Sequence, residues 1–363
     1  MDELIFSFGL IGDTQYVDAE DGTNFEGSIV RRYRQSLETL LLANAHFNSL
    51  NKTQKLLTSV LLGDLIDIKT IKLNTVDAAL DAVLAATSNT DIFDAADAAA
   101  DAAAGAAEAS PRTREGGGRH CWKYVLGNHD LTALTRAEAY ARLIPADVAA
   151  STQQCSPDKL YYHCSPCLGH RFVFLDSFDI SLLNASSPSK KLEAEQILKD
   201  NNPNYENFDK PSCNWFHNLL YEDHRYVPFN GGLSSDQLCW LDAVLQEARA
   251  SNELVYIFCH CPCHPQSCQS SGLMWNSETL LELLHTYTPN VVAVFAGHDH
   301  VGGYVIDEFG IHHLVAPAPL ECGKDEPAFG DVSVYADRMV LNWVGKQPPS
   351  PHMAWPTEMI FRR

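Results

Sequence analysis

Tyr124-Val125-Leu126-Gly127-Asn128-His129-Asp130 sets three polar side chains at the end of an apolar strand. A strand buried along its length holds rigidly whatever follows it. Asn128 offers a neutral oxygen ligand, His129 a titratable imidazole, and Asp130 a carboxylate able to orient that imidazole. Alone, Asn-His-Asp reads equally well as a turn that satisfies its own backbone. Four other places repeat the design, an apolar run closed by a small or polar residue and then a metal-competent side chain. They are Leu10-Ile11-Gly12-Asp13-Thr14-Gln15, Val60-Leu61-Leu62-Gly63-Asp64, Val255-Tyr256-Ile257-Phe258-Cys259-His260 and Val292-Ala293-Val294-Phe295-Ala296-Gly297-His298-Asp299-His300. Each has a dull reading: Asp13 and Asp64 as turn caps, Gln15 facing solvent, His260 hydrogen-bonded in a core. His298 and His300 are harder to dismiss, since a spacing of two after a strand places both rings on one side.

Outward from these blocks the pattern alternates strands with helices. Leu4 to Ile11 predicts a strand, and Tyr33, Leu37, Leu40, Leu41 and Phe47 recur at near-helical spacing behind it, the start of a β-α-β crossover. Ala137 to Leu143 reads as a helix, Arg171 to Asp176 as a strand, and Ser234 with Gln237 as a capping box for a helix through Ala248. Leu254 to Cys259 and Val291 to Ala296 are further core strands. A hairpin over Tyr304–Ile306 and Ile311–Val315 precedes strands near Val332 and Met339. Such alternation predicts layered α/β packing, with ligands gathered beyond the strand carboxyl ends. All five blocks then meet on one edge, where Asp13, Gln15, Asp64, Asn128, His260, His298 and His300 supply oxygen and imidazole ligands for two divalent ions, Asp64 shared between them. From Asp77 to Gly118 the composition collapses to Ala, Asp and Gly, which is expected to be a surface insertion within a single domain, part helix and part disordered.

The 363 residues, 45% hydrophobic and 20% charged, are ample for a large core. A formal charge of -20 with no Lys/Arg run excludes general nucleic-acid binding, and an anionic substrate would need metal ions to receive it. No window suits a membrane span and Met1-Asp2-Glu3-Leu4 lacks a signal pattern, so a cytoplasmic protein without membrane partners is expected. Eleven cysteines, an odd number, predict reduced thiols rather than a disulfide framework. A zinc knuckle from Cys259, Cys261, Cys263, His264 and Cys268 is disfavoured by spacing too tight for a finger.

Asp13-x-Gln15, Gly63-Asp64, Gly127-Asn128-His129-Asp130, His260 and Gly297-His298-Asp299-His300, in this order, resemble the calcineurin-like metallophosphoesterases. Gln15 stands where most of that superfamily has His. With Asp21-Gly22-Thr23-Asn24-Phe25, Asn202-Pro203-Asn204, Phe229-Asn230-Gly231-Gly232, Leu273-Met274-Trp275-Asn276 and Ala328 to Tyr335, it is similar to the manganese-dependent ADP-ribose/CDP-alcohol diphosphatases, nearly end to end. The resemblance implies a four-layer α/β/β/α sandwich with two mixed central sheets. It also implies two Mn²⁺ ions, Mg²⁺ being an alternative, and hydrolysis of nucleoside diphosphate conjugates such as ADP-ribose, CDP-choline and CDP-glycerol; a monomer is expected.

Carried over, one ion would take Asp13, Gln15, Asp64 and His300, the other Asp64, Asn128, His260 and His298. A neutral amide oxygen at Gln15 makes the first site harder and better suited to Mn²⁺ or Mg²⁺ than to zinc. His129, oriented by Asp130, is the candidate acid or clamp at the leaving oxygen. Phe25 and Trp275 are candidates for stacking the nucleobase, and Asn202, Asn204 and Asn230 for binding ribose or phosphate. Two departures stand out, the Ala/Asp-rich stretch and the thiol-rich Cys-Pro-Cys-His-Pro around His264. A purple acid phosphatase is disfavoured, because Leu65, Ile66 and Asp67 stand where a ligating Tyr is required. A scaffold without chemistry would have lost ligands, and none is missing.

Overall fold

The apolar run Phe6–Ile11 is buried at every position and lies at the middle of the fold, with a partner strand on each side. The structure, a computed structural model, describes residues 3–24, 26–53, 55–88, 121–144, 155–210, 213–348 and 354–361. In chain order its strands begin with β1 (Phe6–Ile11), β2 (Gly22–Thr23), β3 (Val30–Arg31), β4 (Leu56–Leu61) and β5 (Cys121–Tyr124). The second group is β6 (Tyr162–Cys167), β7 (His170–Phe174), β8 (Ile180–Ser181), β9 (Gly231–Gly232), β10 (Leu254–Phe258) and β11 (Val291–Ala296). The last are β12 (Gly303–Ile306), β13 (His312–Val315), β14 (Ala328–Val334), β15 (Arg338–Gly345) and β16 (Glu358–Ile360).

Two mixed six-stranded sheets result, ordered β16-β15-β14-β1-β4-β5 and β12-β13-β11-β10-β7-β6. Within them β1, β4 and β5 are mutually parallel, as are β7, β10, β11 and β13. The sheets pack through aromatic side chains. Phe6 and Phe8 of β1 meet Phe172, Tyr256, Phe258 and Phe295 of the other sheet at centroid distances of 5.2 to 6.1 Å, mostly edge to face. Helix Tyr33–Thr53 covers β1, β4 and β14 of the first sheet with helix Val76–Thr87 packed against it, and Ser235–Ala250 packs beside β10 on the second.

Three expectations change in detail. Leu41 is 51% exposed, because Leu40, Ala43 and Phe47 already fill the buried stripe of its helix. Ser234 accepts the N–H of Gln237 at 3.2 Å, but the Gln237 side chain leaves the helix to bind the Asp176 backbone, so only half of a capping box forms. Asp77 to Thr87, expected within a surface insertion, belongs to the core instead: the helix Val76–Thr87 buries Ala79, Leu80, Val83 and Ala86, since two large aliphatics three apart give it a face to bury. Residues 89–118 lie outside the described residues.

Candidate metal centre

Because the parallel strands run one way, their carboxyl ends deliver the five blocks to one edge, and the loops there are tied by their own backbone. Gln15 donates its N–H to the Asp64 carbonyl at 2.8 Å, and the Asp13 carboxylate accepts the N–H of His298 at 3.0 Å, crossing from one sheet to the other. Three of the expected ligands adopt left-handed backbone, Gln15 at φ 39°, Asp64 at φ 53° and His298 at φ 69°. Such conformations cost non-glycine residues about 1 to 3 kcal/mol each and concentrate at functional sites. Two glycines admit the crowding. A Cβ on Gly63, itself at φ +98°, would lie 2.2 Å from Nδ1 of His260, and one on Gly127 would lie 2.0 Å from Oδ1 of Asp64.

Two clusters form, Asp64 with His260 and His298, and Asp13 with Asp64 and His300, the ligand atoms of each within 4.8 Å of one another. Asp64 belongs to both. Each imidazole is turned by a partner outside the cluster. His260 donates Nδ1–H to the Leu62 carbonyl at 2.7 Å, which leaves Nε2 facing Asn128 Oδ1 at 3.3 Å. Asn230 Oδ1 lies 2.6 Å from His298 Nε2, and Nδ1 of that ring faces His260. Glu321 Oε1 lies 2.8 Å from His300 Nδ1, and the opposite nitrogen faces Gln15. Metal-ligating histidines are held in this way, one nitrogen anchored and the other presented.

The pocket's electrostatics call for cations. Burial pushes the Asp64 carboxyl up, but His129, His260 and His298 outweigh it and hold it well below the usual range. Burial also lowers His260, yet Asp64 and Asp13 raise it to about 9. Gln15 supplies a further sign: its Nε2 sits 2.9 Å from both Asp64 Oδ2 and His300 Nε2, while its buried Oε1 has no hydrogen-bond partner. Turning the amide over, an assignment fixed only by such contacts, aims that oxygen at a carboxylate and an imidazole. A cation among them makes three converging acceptors favourable, so the residues fit divalent ions with oxygen and nitrogen ligands.

His129 stands at the mouth, its side chain 12% exposed, with Nε2 3.9 Å from Asp64 Oδ2. The expectation that Asp130 orients it is corrected. His129 and Asp130 are consecutive in the helix Asn128–Ala133 and therefore diverge by about 100°. Asp130 turns inward, accepting the N–H groups of Leu65 at 2.8 Å and Gly127 at 3.0 Å, and so clamps the loop that carries Asp64. Asp67 takes the other role, with Oδ2 3.4 Å from His129 Nδ1. Burial raises the Asp67 carboxyl, but His129, the Lys69 N–H and Arg31 together hold it below its ordinary value.

The substrate candidates fare less well. Phe25 lies outside the described residues. Trp275 is 2% exposed and packs with Ile180, Ala194 and Leu198 in a satellite core, so it cannot stack a base. Asn202 donates to the Trp215 and Tyr226 carbonyls, and Asn204 to the His217 carbonyl; both staple a loop rather than face the centre. Asn230 reaches the centre through His298. Sequence reasoning missed Glu321, Arg31 and Phe229, whose ring lies 5.9 Å from that of His298. Among the described residues the two clusters contain no thiol, all eleven cysteines are free, and His264 packs at a tilt against His313, ring centroids 4.8 Å apart, instead of joining a knuckle.

The profile of the calcineurin-like phosphoesterase family matches residues 6–302, from β1 to just beyond His300, and the chain belongs to that family. Its relatives are of one kind within it. The manganese-dependent ADP-ribose/CDP-alcohol diphosphatase of Oryza sativa subsp. japonica is 36% identical over 361 residues, 99% of this chain and 95% of its own. The Homo sapiens protein of the same name is 31% identical over 353 residues, 95% and 92% of the two chains. A dimetal phosphatase from Danio rerio superimposes with a TM-score of 0.79 at 29% identity, covering 99% of this chain and 100% of that one. The resemblance drawn from the five blocks holds at both levels, and the two mixed sheets flanked by helices are the fold it implied. No helix among the described residues is long and apolar enough to cross a membrane.

Proposed function

We propose that this protein is a manganese-dependent hydrolase of the diphosphate linkage in nucleoside diphosphate conjugates of the ADP-ribose, CDP-choline and CDP-glycerol type. The products are a nucleoside monophosphate and a phosphorylated sugar or alcohol. The observation that carries the reading is the pair of clusters sharing Asp64, each with a neutral amide, Gln15 or Asn128, beside it. Asp13, Gln15, Asp64 and His300 would hold one ion, and Asp64, Asn128, His260 and His298 the other. When bound, two such ions polarise phosphoryl oxygens and acidify water.

The chain's own groups do the rest. Leu62, Asn230 and Glu321 fix which nitrogen of each histidine faces the centre. His129, braced by Asp67, stands where a leaving oxygen can be held or protonated. Phe229, half-buried beside His298, takes the part of base platform that Trp275 cannot. An amide oxygen at Gln15, harder than an imidazole, supports manganese or magnesium over zinc. Eleven free thiols support a cytoplasmic location, and we take the active unit to be a monomer.

Incubating the Mn²⁺-loaded protein with ADP-ribose and CDP-choline, and following products by phosphorus NMR, tests the reading. AMP with ribose 5-phosphate, and CMP with phosphocholine, are the expected pairs. Cleavage of bis-p-nitrophenyl phosphate without either pair would make it a general phosphodiesterase instead.

A further inference from the structure

We propose that Arg31 and Lys69 form a cationic subsite for the phosphoryl group that is not attacked. The proposal rests on the diphosphatase reading and assigns these two residues the choice of a diphosphate over a single phosphate ester. Strands β2 and β3 form a short antiparallel ribbon at the mouth of the centre, with Gly22 directly opposite Arg31. Side chains of directly opposed residues leave the same face of a ribbon. On Gly22 that direction leads to Lys69, since a Cβ there would lie 2.6 Å from Nζ. The ammonium and the guanidinium therefore share one face, and the missing side chain at position 22 is what lets the lysine in.

That face is turned to the metal ligands. Arg31 donates Nε–H to Glu321 Oε1 at 2.8 Å, and its Nη2 lies 3.4 Å from His300 Nδ1, with the side chain 20% exposed. Lys69 Nζ rests 4.0 Å over the Tyr33 ring and has no ion pair among the described residues. In a chain of formal charge -20, an unneutralised lysine beside a half-open arginine is conspicuous. Two ions can offset the charge on the attacked phosphoryl group; the second carries its own and needs charge-assisted donors. Arg31 and Lys69 lie beside His300 and Asp67, where such a group would be held.

The test uses the full-length, Mn²⁺-loaded protein, Arg31→Gln and Lys69→Gln, with bis-p-nitrophenyl phosphate hydrolysis as reporter. Inhibition constants are measured for methylphosphonate and methylenediphosphonate, which differ by one phosphonyl group, at fixed free Mn²⁺. Each variant should weaken the diphosphonate by about tenfold or more and the monophosphonate by less than about threefold, whatever its residual rate. Equal weakening of both inhibitors, or of neither, overturns the subsite. Manganese stoichiometry by electron paramagnetic resonance guards the Arg31 arm, because Arg31 also braces Glu321; Lys69 touches no expected ligand, and its arm stands without that control. Should the wild type fail to release AMP from ADP-ribose while the diphosphonate effect holds, the nucleotide reading falls and the subsite stays.

Discussion

Asn230 Oδ1 lies 2.6 Å from His298 Nε2, while the amide nitrogen of the same side chain donates to the carbonyls of Arg225 at 2.8 Å and Ser271 at 2.7 Å. Both ends of the amide are thereby fixed, and the oxygen can only accept from the imidazole. Loss of that partner frees His298 to present either nitrogen. Asn230→Ala should weaken manganese binding by about 10- to 100-fold, read by paramagnetic resonance titration, with secondary structure retained. Wild-type affinity would remove Asn230 from the centre's support.

Asp67 and Asp130 should separate by phenotype. A phosphomonoester leaving group, with a second pKa of about 6, needs less protonation than an alkoxide. Asp67→Asn should therefore lower turnover on a simple alkyl phosphodiester by about tenfold and on ADP-ribose by less. Asp130→Ala, which strands buried N–H donors, should cost about 1 to 3 kcal/mol in denaturant unfolding. Identical behaviour of the two variants in both assays would refute this division.

Gly127 tests the crowding at Asp64. Its Cβ would sit 2.0 Å from the Asp64 carboxylate, too close for any rotamer to relieve. Gly127→Ala should abolish binding of at least one manganese per chain, measured by elemental analysis after gel filtration. A variant that keeps two ions would show that the loop gives way at little cost.

Phe229 and Trp275 should also part company. Trp275→Leu is expected to lower stability by about 1 to 3 kcal/mol and leave KM for CDP-choline within about twofold. Phe229→Ala should raise that KM several-fold without comparable loss of stability. The reverse pattern would return Trp275 to the substrate.

Burial, joined by the charge of His313, pushes the His264 imidazole down to about 4 from its ordinary 6.5. An unfolded chain takes up this proton first, so the stabilisation is complete above pH 6.5 and drains as pH falls toward 4. His313, Asp307 and His285 are the charged neighbours that set it. Wild type should lose more stability than His264→Leu across that window, measured by urea unfolding in chelator. Parallel losses would mean that His264 titrates normally.

The residues of the two clusters were readable because each follows the end of a largely apolar strand, and parallel strands must release their ends on one edge. What surrounds them was not. Glu321 ends a single helical turn and Arg31 a two-residue strand, both too short to show a period, and the anchor of His260 is a backbone carbonyl. Adjacency misled in the case of Asp130, since neighbours in sequence diverge once a helix begins. Trp275 looked available in a loop, yet its backbone N–H is bound to the Gly231 carbonyl at 2.9 Å and its ring fills a core that only the fold creates. Asp67, three positions after Asp64, carries no mark in the sequence that pairs it with His129.

Asp13, Gln15, Asp64 and Asn128 hang from one sheet, whereas His260, His298 and His300 hang from the other. Cations held by both groups would act as rivets through two plates that contacts such as Asp13 with His298 and His260 with the Leu62 carbonyl already join at that edge. Occupancy and mechanical integrity are then a single thermodynamic quantity: with free ion at a thousand times its dissociation constant, each rivet adds about 4 kcal/mol against the plates parting. A cell short of manganese would lose this protein to unfolding as well as to idleness.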